Sequence, residues 1–422
     1  MKYVLTVCLC LLAFIMNNGC GSSNPNSPTT EEWKATSTTY NVTLTPNTVY
    51  FDSTMMNAVT SMDTVNHVYS FSPSHPKTSL LEVGKILLLW RKDVRKIAKV
   101  TNTGTAVTVE TDSCTLNEVI QDGTLGWDYA ADFSPSTVIL PTMSVLGQKG
   151  NHVMTPMGND TFGIRLDFGD YIYKVAIKLK GDYMYTKIGV EKKLLQGFRA
   201  SFTAEGNVYK FRQQSTMKFS NATLQQFDHI NKRIKADMTL RLAAAGSGND
   251  AINFELPIVV AKYPVAVGPF VFFINVKIQV VANCVVPADG SSNLNAKFSY
   301  ETDAGFTFDG VNANPFGNEG TNSIVKDGEL ATASSSAVAA SFGIGFPRTE
   351  LDLFGTGLVV PYVQPGILVG GDFTTGIHPC QTAQVAFVGG AGLNMGYAGM
   401  TLKKSWTLWN KQLYLLKAGD CP

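Results

Sequence analysis

Charge is scarce in this chain of 422 residues: 16% are Asp, Glu, Lys or Arg, with 34 basic against 33 acidic side chains. A chain so weakly and evenly charged lacks the basic footprint that a phosphate backbone selects, so nucleic acid is excluded as a partner. Histidine is also scarce. His67, His75, His152, His229 and His378 are scattered, with no HExxH and no i, i+4 pair to hold a metal on a helix. None of the seven cysteines forms a C-x2-C pair, which excludes a four-thiolate zinc site. Nowhere does the chain offer the 10–15-residue amphipathic helices that parallel crossovers need.

The longest apolar run, Phe254 to Ile274, contains Pro257, Pro264 and Pro269 and a central Lys262. Each proline costs a helix interior roughly 3 kcal/mol or more, so the run is not a spanning helix. No dinucleotide fingerprint is complete either, since Gly390 to Gly396 misses the glycine spacing by one residue and no βαβ unit holds it. No cofactor is expected.

What the chain does have is alternation. Phe272, Ile274, Val276, Ile278 and Val280 share one parity, with Asn275, Lys277 and Gln279 between them. Before it, Ile230, Ile234, Ala236, Met238, Leu240 and Leu242 share one parity, and His229, Asn231, Arg233, Lys235, Asp237, Thr239 and Arg241 the other, broken at Lys232. Period two means strands with one buried and one solvated face, which would place His229 in solvent. The stretch Ala245 to Asp250 reads as a loop returning the chain antiparallel, so that these two strands form the central pair.

The expected fold is all-β and antiparallel. A small N-terminal β-barrel or sandwich module covers residues 36–135, with a capping box at Thr115 and Glu118 opening a short helical turn. A Pro, Met and Gly-rich linker covers 136–159, and a larger long-stranded sandwich or barrel-like domain covers 160–422, with a hairpin loop expected at Gly206-Asn207.

Met1-Lys2, the apolar run Tyr3 to Met16 and the small residues around Gly19-Cys20-Gly21-Ser22-Ser23 have the layout of a signal peptide over 1–19. Gly19-Cys20-Gly-Ser-Ser resembles a bacterial lipoprotein signal, although Asn17 stands where such signals carry Leu. The resemblance implies that Cys20 is acylated, that 20–39 is a flexible tether, and that the chain is exported and held at the outer membrane or cell surface by its lipid. Loss of 1–19 removes Lys2 and no acid, so the mature chain has net charge zero. Four cysteines then remain: Cys114, Cys284, Cys380 and Cys421. In an exported chain an even number suggests two disulfides, for which three connectivities are possible.

Candidate sites are few. Ser215-Thr-Met-Lys218 matches S-x-x-K, but a strand would place Ser215 and Lys218 on opposite faces. Ala339 to Gly343, around Ser341, is one residue from a nucleophile elbow, with no helix following. Asp309, Asn312 and Asn314 have oxygen ligands at loop spacing and form a calcium candidate, though Val311 breaks the EF-hand pattern. The body resembles long-stranded all-β bacterial cell-surface proteins, a resemblance that implies no active site. A binding or structural role at the envelope, toward a surface glycan or protein, is expected. The alternatives are a membrane β-barrel or pore, an apolar-ligand carrier, and a hydrolase whose residues converge only in the fold.

Overall fold

A computed structural model describes residues 37–420, apart from 132, 135–141, 145–150, 154, 159–160, 169–170, 193–198, 247–249, 287–289, 327–331, 334–337, 354–361, 374–379, 395 and 397–402. The chain is all-β, as its alternation requires. Strand β1 (Ser37–Leu44) opens it. The strands β2 (Thr48–Phe51), β3 (Val59–Asp63), β4 (Val68–Phe71), β5 (Ile86–Leu89), β6 (Asp93–Asn102) and β7 (Val107–Asp112) follow, and then one helical turn, α1 (Leu116–Val119). The expected capping box closes α1, with Thr115 N donating to the Glu118 carboxylate at 2.9 Å. Next come β8 (Ile120–Ala131), β9 (Thr142–Ser144), β10 (Asn151–Val153), β11 (Thr155–Gly158), β12 (Thr161–Phe168), β13 (Tyr171–Leu179), β14 (Tyr183–Lys192), β15 (Arg199–Tyr209), β16 (Phe211–Ser220) and β17 (Thr223–Gly246). The hairpin β18 (Asp250–Val267) and β19 (Phe270–Val286) precedes β20 (Gly290–Phe308), β21 (Ala313–Gly317), β22 (Thr321–Lys326) and β23 (Thr332–Ala333). The chain closes with β24 (Val338–Leu353), β25 (Tyr362–Phe373), β26 (Cys380–Asn394) and β27 (Lys403–Gly419).

Strand β17, of 24 residues, organises the larger sheet. One edge pairs with β16 over its first half and with β15 over its second; the other pairs with β20 from Phe227 to Gly246. The sheet runs β1-β8-β16-β17-β15-β14-β13-β12-β11, with β20 carrying β21, β22 and β23 on its far edge. A second sheet, β18-β19-β24-β25-β26-β27, lies against it. Aromatic pairs cross the interface: Trp127 stacks on Phe272 with centroids 4.8 Å apart, Phe133 meets Tyr263 at 6.1 Å, and Tyr300 meets Phe387 at 5.2 Å. Residues of both sheets therefore share one apolar core, which is the sandwich reading of the sequence.

The structure corrects four expectations. First, the β18–β19 hairpin does not pair with β17; it is inserted between β17 and β20 and starts the opposite sheet. Pro257 and Pro264 are tolerated because, among the described residues, β18 pairs with β19 alone and leaves an edge where a missing N–H costs no ladder bond, while Pro269 lies in the turn between the two strands. Second, the small module is not 36–135. Strands β1 and β8 pair with each other and join the large sheet through β16, so the six strands β2 to β7 are spliced into a hairpin of the larger domain. Those six keep a separate core around Phe51, Tyr69 and Phe71, and include a parallel pair, β2 with β5.

Third, Gly206 and Asn207 lie inside β15 rather than in a turn. There, a Cβ on Gly206 would come within 2.1 Å of the Asp237 carbonyl oxygen, so the glycine permits a close approach of β17. Fourth, part of the expected linker is strand: β9 and β10 pair with each other and β11 joins the large sheet.

Candidate functional site

The break at Lys232 is a β-bulge. Asn231 faces Ala304 and Ile234 faces Thr302, so Lys232 and Arg233 together oppose the single residue Asp303. Arg233 takes a left-handed φ of 55°, and its N–H donates to Asp303 Oδ1 at 2.7 Å. One extra residue reverses the phase of the strand. Beyond the bulge Ile234, Ala236, Met238 and Leu240 point inward as expected; before it the inward residues are Phe227, His229 and Asn231, not Ile230. His229, expected in solvent, is 1% exposed.

The register then assembles a polar row inside the sandwich. Trp127, Ser215, His229 and Phe306 are direct neighbours across β8, β16, β17 and β20, and Gln213 faces Asn231 in the next row. The Trp127 indole N–H donates to Gln213 Oε1 (3.2 Å), and the Gln213 amide donates to Asn231 Oδ1 (3.1 Å). The Asn231 amide donates to His229 Nε2 (3.2 Å), and His229 Nδ1 meets Ser215 Oγ at 2.7 Å.

The indole can only donate, so it fixes the direction of every bond after it. His229 Nε2 is left as an acceptor, the ring proton sits on Nδ1, and His229 donates to Ser215. Burial, with Phe306 stacked at 5.5 Å, pushes the imidazole pKa down to about 3, so the ring is neutral at ordinary pH.

A serine nucleophile needs the reverse arrangement, in which the imidazole nitrogen accepts the hydroxyl proton and the hydroxyl reaches substrate. Ser215 is 2% exposed and receives a proton donor. This row is suited to fixing register, since buried polar groups are satisfied only when β8, β16 and β17 align in one way. Lys218 lies on the outer face, away from Ser215, as strand geometry required. Sequence reasoning separated Ser215 from His229 because their pairing depends on the tight Asn221-Ala222 turn, where both residues have positive φ.

The other candidates separate. Asp309 closes the β20–β21 turn: its Oδ1 accepts the N–H groups of Val311 (3.0 Å) and Asn312 (2.6 Å), while Asn314 sits within β21 opposite Thr307. The calcium candidate is therefore built as an Asx turn, with the one carboxylate occupied by backbone. Cys114 is a free, buried thiol whose pKa burial pushes up to about 12, which removes it from the two-disulfide scheme. Cys284 faces Ala340 on β24, while Cys380 is on β26, three strands away. Three spacings amount to about 14 Å, twice the reach of a disulfide. Cys20, Cys421 and the side chain of Ser341 lie outside the described residues.

On the outer face of the large sheet, charges pair across strands: Lys174 with Glu191 at 2.9 Å, Lys187 with Glu205 at 3.0 Å, and Arg212 with Asp128 at 2.8 Å through Nη2. A lipid-facing wall would be apolar here. The inner face, Ile234 to Leu240, is covered by the second sheet and not left open as the wall of a groove.

The joint between the small module and the sandwich carries an aromatic and cationic surface. Tyr50 and Trp90 lie 6.4 Å apart, with Arg91 over the Trp90 ring at 5.0 Å and Lys77 over Tyr50 at 5.9 Å. Arg91 also docks the joint, its N–H donating to the Pro269 carbonyl at 2.8 Å and its Nε to that of Gly268 at 3.2 Å. Compared with family models, curated proteins and solved structures, the chain matches none.

Proposed function

We propose that this chain is an exported, lipid-anchored protein of the bacterial envelope with a binding or structural role. Its β-sandwich acts as a rigid body tethered through Cys20. The observation that carries the non-catalytic part is the Ser215–His229 pair: it has hydrogen-bond geometry, yet it is sealed in the core with the imidazole proton directed at the serine. The solvated charge ladder on the outer face favours a body in water over a membrane barrel, and the filled inner face disfavours an apolar-ligand carrier. The anchor rests on the Gly19-Cys20-Gly sequence and the Ser, Asn and Pro-rich tether after it.

A second reading, contact with a surface glycan, draws on the joint, where half-buried Tyr50 and Trp90 offer ring edges and faces flanked by Lys77 and Arg91. Metabolic labelling with palmitate tests the anchor. Label is expected on the wild-type protein in the membrane fraction, and Cys20→Ala is expected to be unlabelled and soluble. A wild-type protein that is itself soluble and unlabelled contradicts the anchor.

A further inference from the structure

Arg95 is 6% exposed and forms no hydrogen bond or ion pair among the described residues; its Nε is fully enclosed without a partner, and the Asp93 carboxylate acts on its charge only through space. This is anomalous, because a guanidinium carries five donors and loses its hydration on burial, and buried charges are ordinarily paired. The acid beside it is otherwise engaged. Asp93 shares the inner side of β6 with Arg95, but Tyr69 O–H donates to its Oδ2, and its Oδ1 accepts the N–H of Val94 at 2.9 Å.

Tyr69 reaches Asp93 from β4, two strands away in the sheet order, and β6 itself carries a bulge-like irregularity between Ile97 and Lys99. The β3–β4 turn closes over the same place with His67, held at a φ of 56° while its carbonyl accepts Thr111 N (3.2 Å) and Oγ1 (2.9 Å). His67 is part-exposed, at 37% of its side chain, yet its Nδ1 is enclosed, has no hydrogen-bond partner, and stands 3.9 Å from Asp93 Oδ2. Two enclosed nitrogens without hydrogen-bond partners, Arg95 Nε and His67 Nδ1, thus belong to residues near the Asp93–Tyr69 pair, and the His67 side chain reaches solvent.

We infer that the start of β6 and the β3–β4 turn form a binding site for a small oxyanion, a carboxylate or phosphate group held by the Arg95 guanidinium with His67 at the rim. The guanidinium fork matches either group, and a single anion would satisfy the donors that the chain itself leaves unmet. The site stands independently of the lipid anchor, since it needs only the folded chain.

The experiment is isothermal titration of the purified chain with sodium acetate and, separately, with inorganic phosphate, against sodium chloride at matched ionic strength. Saturable binding of acetate, phosphate or both is expected, and the pattern tells a carboxylate ligand from a phosphate ligand. Arg95→Leu should weaken that binding by about tenfold or more while leaving the thermal midpoint in chloride unchanged or raised, because it removes an unpaired buried charge. Should Arg95→Leu not fold, His67→Asn, which tolerates the left-handed backbone, should still bind at least about threefold more weakly than wild type. Heats for both anions that match the chloride control overturn the inference. So does anion binding that both variants retain at wild-type affinity.

Discussion

Lowering the pH from 7.5 to 4.5 is expected to reduce the stability of this protein by about 3 kcal/mol through His229 alone. In the unfolded chain an imidazole titrates near 6.5; in the fold, burial pushes His229 down to about 3. Between those values the unfolded state binds a proton that the native state refuses, so stability is present in full above about pH 6.5 and is lost as the pH falls toward 3. Two pH units below the unfolded value correspond to about 3 kcal/mol, at roughly 1.4 kcal/mol per unit. Urea midpoints from pH 7.5 to 4.5 measure the slope. In His229→Gln, which keeps a polar side chain but cannot titrate, the slope below pH 6.5 should flatten even if overall stability falls. Parallel slopes in the two proteins would mean that His229 is accessible to protons in the native state.

Leu240→Ala is expected to cost about 2–5 kcal/mol, and toward the upper end of that range. The row explains why: Leu240 lies between Ala204 on β15 and Ala296 on β20, and all three are buried. Truncation would leave three alanines in line beneath the opposite sheet, with no neighbour on that row large enough to fill the space. Thr239→Ala and Arg241→Ala should each stay within about 1 kcal/mol, since both are on the outer face and the Arg241–Glu205 pair, at 3.7 Å, is solvent-exposed on the arginine side. Denaturant midpoints for the three variants decide it. Equal losses on both parities would show that β17 is buried on both faces and that the large sheet has no solvated side.

Fold class was legible in the sequence because alternation is a local signal: each strand shows its buried face within six or eight residues. Pairing was not, because partners are chosen by contacts far apart in the chain, as when Ser37 pairs with Asp128 and Gly123 with Phe219. Nothing near Ala245 to Asp250 indicates that the next two strands leave for the opposite sheet, or that β17 finds β20 only after them. Nor does local alternation tell that β1 and β8 pair with each other and join the large sheet through β16.

The phase error before Lys232 is more instructive. The parity break was visible, and an irregularity inside an otherwise strict strand is what a bulge looks like in sequence. Treating Lys232 as a lone exception kept Ile230 in phase with Ile234 and put His229 outside. Reading it as an inserted residue would have placed His229 and Asn231 inside, two polar groups that require partners. The proposed oxyanion site had no sequence signal, since Arg95 on β6 and His67 on the β3–β4 turn are brought to the same Asp93 only by the fold.

The most direct test of the account is the protonation state of His229 in the native protein, read from the nitrogen-15 chemical shifts of its imidazole between pH 7.5 and 4.5. A neutral ring protonated on Nδ1 with Nε2 bare, unchanged across that range, is expected, because the indole of Trp127 orients the whole row and the second sheet seals it. A ring protonated on Nε2, or one that titrates near pH 6.5, would contradict it and return Ser215 and His229 to consideration as a reactive pair.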